Sequence, residues 1–203
     1  MARIARSMVA VSFLDSPPEG LEERAERDKY CYFLGLARTE GPFYIPAENI
    51  DCPLARYHLA LGPADFESLP DTLVDWGDAA DRGAALRFLR SGARLARAYE
   101  YIAFFGCGQA NFDPDLVVRV CTVEQGYLAA RAHTAATGQR INASISGVGA
   151  ACGECTAYVL VNEAPTVSLG CGGSRPRIGM EEGELLLAAP FGSRLQEMLM
   201  RGT

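Results

Sequence analysis

Residues 144–177 read SISGVGAACGECTAYVLVNEAPTVSLGCGGSRPR. Three of the seven cysteines fall here, in two glycine-rich knots. The first runs Gly147-Val148-Gly149-Ala150-Ala151-Cys152-Gly153-Glu154-Cys155, and the second is Gly170-Cys171-Gly172-Gly173. Upstream, Arg140 to Ser146 alternates as RINASIS and predicts a strand. Ala151 to Val161 predicts a helix that starts on the cysteines, and Thr166 to Gly170 a second strand. Strand, helix and strand in this order describe a unit whose two strands run parallel, with both carboxyl ends at one edge of the sheet. Ligands of open α/β sheets gather at such edges. The spacing therefore predicts that Cys152, Cys155 and Cys171 meet, with Cys52 approaching the same site from a neighbouring loop.

The rest of the chain extends the pattern. Met8 to Leu14 is apolar and reads as the first strand, and Pro17-Pro18-Glu19-Gly20 as a turn. Leu21 to Arg38 reads as a helix, with Glu22, Glu23 and Glu26 in its early turns, where the helix dipole favours acids. Gly41 to Pro46 is a short extended segment. Cys52 or Asp51 can cap a helix that opens on Pro53, a residue suited to the first helical position, and ends at Gly62. The polar stretch from Ala64 to Arg97 predicts short helices in a covering layer, with Trp76, Leu86, Phe88 and Leu89 packing inward. Tyr99 to Phe105 and Leu116 to Cys121 are strands, Val123 to Thr137 a helix closed by Gly138, and Leu185 to Leu187 a last strand. Ser193 caps a final helix through Met200. With no internal repeat and no low-complexity linker, residues 1–203 predict a single α/β domain: a mixed sheet with flanking helices and a cysteine- and glycine-rich site at 144–177.

Composition narrows the classes of function. The net charge is −6, and a nucleic-acid surface needs a basic footprint, so nucleic-acid binding is not expected. Eighteen of the nineteen basic residues are Arg, with Lys29 the exception, and the arginines are dispersed. No apolar run approaches the roughly 18–20 residues that span a bilayer. The start, MARIARSMVAVSFLDS, has Arg3 and Arg6 before an apolar run, but that run stops at Asp15 without a small-residue cleavage site. A cytoplasmic location is expected. Seven cysteines is an odd number in a chain long enough to build its own core, which fits reduced thiols or metal ligands better than a disulfide framework.

The glycine turn before Cys152 lacks the Lys-Ser/Thr of a P-loop and the spacing of a dinucleotide fingerprint. Its content is physical: Gly147, Gly149, Gly153 and, on the second knot, Gly172 let backbone approach a ligand closely, and a helix start has free N–H donors. Cys152-Gly153-Glu154-Cys155 places two thiols at that start, where a thiolate is favoured. Cys52, at its own helix start, shares that advantage, and Cys171 follows a strand. Cys52, Cys152, Cys155 and Cys171 are the candidate metal ligands, enough for an iron–sulfur cluster in electron transfer or cofactor support with a redox protein partner. Cys31 is the reserve ligand; Cys107 and Cys121 are assigned to packing. Whether the protein is an enzyme stays open. One alternative is an enzyme holding a small anion at the helix start, with Cys152 as reactive thiol. Such a thiol needs a base, and His58 and His133 read better as packed or surface residues. Another alternative is an interaction subunit with structural thiols.

The segments CPLARYHLALG, SGVGAACGE, VSLGCGGSR and the closing ELLLAAP also resemble, in order and over nearly the whole chain, the prokaryotic domain-of-unknown-function 169 family. The resemblance implies cysteines at positions matching Cys31, Cys52, Cys152 and Cys171. It also implies a further cysteine in many members where this chain has Ser174, for which Cys155 or Cys31 would substitute. It implies no reaction.

Overall fold

A computed structural model describes residues 8–62 and 66–196. Seven strands form one sheet: β1 (Met8–Leu14), β2 (Glu22–Glu23), β3 (Phe43–Pro46), β4 (Tyr101–Phe105), β5 (Leu116–Thr122), β6 (Thr166–Ser168) and β7 (Glu184–Pro190), in the order β2-β3-β4-β1-β5-β7-β6. The helices are α1 (Tyr30–Ala37), α2 (Pro53–His58), α3 (Leu69–Asp75), α4 (Arg82–Ser91), α5 (Val123–Thr137), α6 (Tyr158–Asn162) and α7 (Ser174–Ile178). A π-helix, Ala150–Ala157, runs directly into α6. The architecture is mixed α/β around an open sheet, as the alternation of elements predicts. No described helix is long and apolar enough to cross a membrane.

The central strands are apolar at nearly every position because both faces of the sheet are covered. Val9, Val11 and Phe13 of β1, with Phe43, Ile45, Phe104 and Val118, face α1, α2 and the π-helix. Met8 and Ala10, with Ala103, Phe105, Val117 and Cys121, face the opposite layer, to which α5 contributes Ala129. α5 matches its predicted span: Thr122 and Gln125 make reciprocal capping bonds at its start, and Gly138 closes it at φ 71°. The α3–α4 layer has a small core of its own, built from Leu54, Leu69, Leu73, Ala85 and Leu89.

Four expectations are corrected. Leu21 to Arg38 is not one helix: only Tyr30–Ala37 is helical, and Glu22 and Glu23 pair in parallel with Phe43 and Tyr44. The N–H groups of Arg24 and Asp28 donate to Tyr44 O and Asn49 O at 2.8 and 3.1 Å, so this segment finds its backbone partners across the chain instead of along a helix. Arg140 to Ser146 is not a strand. It crosses the surface with all but Ile141 exposed, and among the described residues it pairs with no strand. The sheet edge belongs instead to β6, antiparallel to β7, and every named pair except β2–β3 is antiparallel. The parallel unit inferred from the glycine knots is therefore absent among the described residues. Trp76 packs outward, 47% exposed. Ser193 does accept from the Gln196 N–H at 3.2 Å, and the remainder of that helix lies outside the described residues.

α1 and α7 touch backbone to backbone at Gly35, where an added Cβ would stand 2.0 Å from Arg177 O. A mid-helix Gly→Ala exchange ordinarily stabilises by roughly 0.5–1 kcal/mol. Here the methyl meets a carbonyl that no rotamer can move. Gly35→Ala is expected to destabilise by about 1–3 kcal/mol, read as a lowered urea midpoint at unchanged m-value; an unchanged or raised midpoint would show that α7 is free to shift.

Candidate thiol-lined site

Gly149, at φ +64°, turns the chain into the π-helix, and its carbonyl accepts from both Gly153 N–H at 2.7 Å and Glu154 N–H at 3.2 Å. The wide turn is reinforced by side chains. Thr156 Oγ1 donates to Ala151 O at 2.8 Å, five residues back, so the Tyr30 hydroxyl, 2.8 Å away, must be the donor to Thr156 Oγ1. All eight residues of the π-helix are buried. Such wide turns are rare and frequent at functional sites. Here the turn sends Cys152, Glu154 and Cys155 in three directions.

Glu154 points to the loop before the helix. Its Oε1 accepts from Ser146 N–H at 2.5 Å, Ser146 Oγ at 2.6 Å and Gly147 N–H at 3.1 Å, while Oε2 accepts from Ser168 Oγ at the end of β6. One buried carboxylate thus ties the first glycine knot to the strand that leads into the second. Ser168 Oγ accepts in turn from Gly170 N–H at 3.2 Å. The second knot is locked by Ser174: Cys171 N–H donates to Ser174 Oγ at 2.8 Å, and Ser174 N–H donates to Cys171 Sγ at 3.3 Å.

Between the knots, α1 and α2 lies a cavity of about 440 Å³. Four cysteines line it: Cys31 from the first turn of α1, Cys52 at the cap of α2, Cys152 from the π-helix and Cys171 from the second knot. Gly147, Gly149, Gly172 and Gly173 supply bare backbone walls, Lys29, Asp78 and Arg177 are the charged residues of the lining, and Tyr30 and Trp76 are its aromatic ones. All seven cysteines of the chain are free thiols. The Cys31 and Cys152 thiols donate to Gly173 O and Gly149 O, each at 3.6 Å.

Burial decides the charge of these thiols. It pushes Cys31 up to about 12, with the neighbouring Cys171 and Cys52 sulfurs adding to the rise and Arg177 opposing it. Cys52 is likewise raised by burial, against the helix-start N–H groups and Lys29. Cys152 is raised well above the ordinary thiol value by burial and by Cys52, Cys171 and Cys31. The thiolate expected at the two helix starts is thus not the resting state, because desolvation outweighs the local donors.

Two members of the expected set stand elsewhere. Cys155 is fully buried against the sheet and does not line the cavity; burial, then Glu154, raises its thiol. Gly153 faces away from the cavity, toward His58: an added Cβ would lie 2.9 Å from His58 Nε2. Gly149 is pressed by the same ring, with a would-be Cβ 3.2 Å from Nε2, so its replacement would disturb folding before any ligand. Gly147 and Gly172 meet nothing within 4 Å and remain open. Cys107 and Cys121 pack in the layer across the sheet.

His58 is buried, its Nδ1 donating to Ala93 O at 2.7 Å, which leaves Nε2 as the bare ring nitrogen. It lines a separate pocket of about 140 Å³ behind Gly149 and Gly153. Burial lowers its pKa. His133 lies on α5, which packs against the other face of the sheet. Among the described residues, no three His, Cys, Asp or Glu side chains stand close enough to share a single metal ion.

Sequence reading missed Glu154, treated only as a spacer between cysteines, although an acid inside a buried helix start is itself a signal. It also missed the cavity-lining roles of Lys29, Trp76 and Arg177. Glu154→Gln turns an acceptor of four donors into a group that must present an amide to some of them. The exchange is expected to cost about 2–4 kcal/mol, measured by chemical denaturation, with faster amide exchange at Gly147; unchanged stability would show that the carboxylate is not what joins the knots.

No solved structure matches the chain. A protein described as uncharacterized, MJ0308 of Methanocaldococcus jannaschii, is 24% identical over 206 residues, covering 92% of this chain and 87% of that one. The family model DUF169, described as an uncharacterised ArCR family, matches residues 1–201. The chain whose cysteines and glycine knots enclose this cavity is a member of the DUF169 family.

Proposed function

We propose that the cavity holds an iron–sulfur cluster bound by Cys31, Cys52, Cys152 and Cys171, and that the protein serves electron transfer or cofactor support for a redox partner protein. The observation that carries this reading is the sorting of the seven cysteines. Four thiols from distant parts of the chain line one cavity, and the other three do not. The spacing also speaks to the kind of centre. A single zinc ion needs its sulfurs about 3.8 Å apart, from Zn–S bonds of about 2.3 Å, and no such group exists among the described residues. A cluster spreads its four ligands around a larger body, and bare glycine walls leave backbone N–H groups for its sulfides. When bound, the cluster would supply one-electron chemistry; the chain would supply the four sulfurs, with Cys152 buried and Cys31, Cys52 and Cys171 half-buried.

The reading with Cys152 as reactive thiol finds less support. Its thiol is held protonated by burial and by three neighbouring sulfurs. The buried His58 lines the other pocket, behind the backbone of Gly149 and Gly153.

Anaerobic reconstitution with ferrous iron and sulfide tests the proposal. The wild-type protein is expected to turn brown with a broad absorption at the blue end. Serine replacement of Cys31, Cys52, Cys152 or Cys171 should lower iron content several-fold, whereas Cys107→Ser, Cys121→Ser and Cys155→Ser should load fully. Full loading of Cys31→Ser together with loss in Cys155→Ser would overturn this ligand set.

The same burial predicts an alkaline weakness of the metal-free protein. Burial raises the thiols of Cys31, Cys52, Cys107, Cys121, Cys152 and Cys155 above the ordinary 9.0, Cys31 to about 12 and Cys107 and Cys121 to about 11. Between these values the unfolded chain loses protons that the folded chain keeps. Stability is therefore full below about pH 9 and falls as pH rises through the folded values. Urea midpoints measured on metal-free protein at pH 7.5 and 10 check this; equal midpoints would contradict it.

A further inference from the structure

The charged lining of the cavity consists of Lys29, Arg177 and Asp78. Lys29 is the only lysine of the chain. It caps α1, two residues before Cys31, and its ammonium lies 5.8 Å over the Trp76 ring. That contact holds a compact point charge in the lining of the cavity. Arg177 approaches from α7. Its Nη1 donates to Gly173 O at 3.2 Å, the carbonyl that also accepts from the Cys31 thiol, and its Nε lies 3.8 Å from Asp28 Oδ1. Each cation thus stands by a different thiol: Lys29 favours a negative charge on Cys52, and Arg177 one on Cys31. Asp78, on the α3–α4 side, has the opposite sign.

We propose that Lys29 and Arg177 are positioning residues that raise the reduction potential of the centre held by the four cavity cysteines, with Asp78 lowering it. This rests on the cluster reading above. The physics is a charge balance. One-electron reduction of the centre by dithionite adds one negative charge to the cavity and leaves oxidised dithionite outside. A nearby cation lowers the free energy of the added charge and a nearby anion raises it, through a medium of intermediate dielectric. Charges close to a cluster are among the factors that set its potential. Neither cation is bonded to a thiol, so their effect works through the field and not through ligation.

The test is a potentiometric titration of the reconstituted protein followed by the cluster's absorption. Lys29→Met and Arg177→Met are expected to shift the midpoint to more negative potential, Lys29→Arg to restore it, and Asp78→Asn to shift it the other way. The shifts should shrink at high ionic strength, as screening requires. Opposite signs for opposite charges are what a packing disturbance would not produce. Full iron content with an unmoved midpoint in both cation variants overturns this inference alone, as does an Asp78→Asn shift in the same direction as Lys29→Met. A wild-type protein that takes up no iron and sulfide overturns both this inference and the cluster reading.

Discussion

The buried carboxylate of Glu154 is the constraint on which the site depends. A carboxylate out of water needs its lone pairs filled, and this one takes two donors from Ser146, one from Gly147 and one from Ser168. The loop before the π-helix has no strand to hold it, since residues 140–146 lie exposed on the surface. Glu154 therefore does for the first knot what a sheet ladder would otherwise do. Through Ser168 it fixes the approach to the second knot as well, and the two walls of the cavity are set relative to each other by one side chain.

Around that anchor the packing is arranged so that helices meet closely without side chains between them. Gly35 brings α1 against the carbonyl of Arg177, and Gly153 admits the ring of His58 against the π-helix. Tyr30 reaches from α1 to Thr156 and so keys the helix carrying Cys31 to the helix carrying Cys152. The cost of the arrangement is a set of buried polar groups near the site, and the Cys31, Cys52 and Cys152 thiols bear part of it by being held toward the protonated form. Side-chain and backbone contacts of this kind are what a preorganised cavity requires.

A few residues separate what is legible in the sequence from what is not. Cys52 and Pro53 announced a helix start, and that start is where Cys52 stands. The glycine knots announced close backbone approach, and Gly147, Gly149, Gly172 and Gly173 do line the cavity. The topology drawn from them was mistaken. RINASIS alternates like a strand, but alternation describes a face only when a neighbour exists to cover it. The knots meet through a carboxylate and a π-helix instead of through parallel strands. Lys29 is legible as the only lysine, but its place by the cavity is not, because no sequence pattern links it to Trp76 forty-seven residues away.

What the sequence alone determined is local. The apolar runs of β1, β4, β5 and β7 carry their own period and burial, Thr122 with Gln125 and Gly138 bound α5, and the odd number of cysteines pointed away from a disulfide framework. What only the tertiary structure decided is which thiols share a space. Cys155 sits three residues from Cys152 and belongs to the core, whereas Cys31, more than a hundred residues away, belongs to the cavity. Spacing along a chain specifies direction only within an element of known pitch, and the pitch here is that of a π-helix. Its extra residue per turn rests on Tyr30, Thr156 and Glu154 finding partners from other segments, and a sequence does not display those partners until the chain has folded.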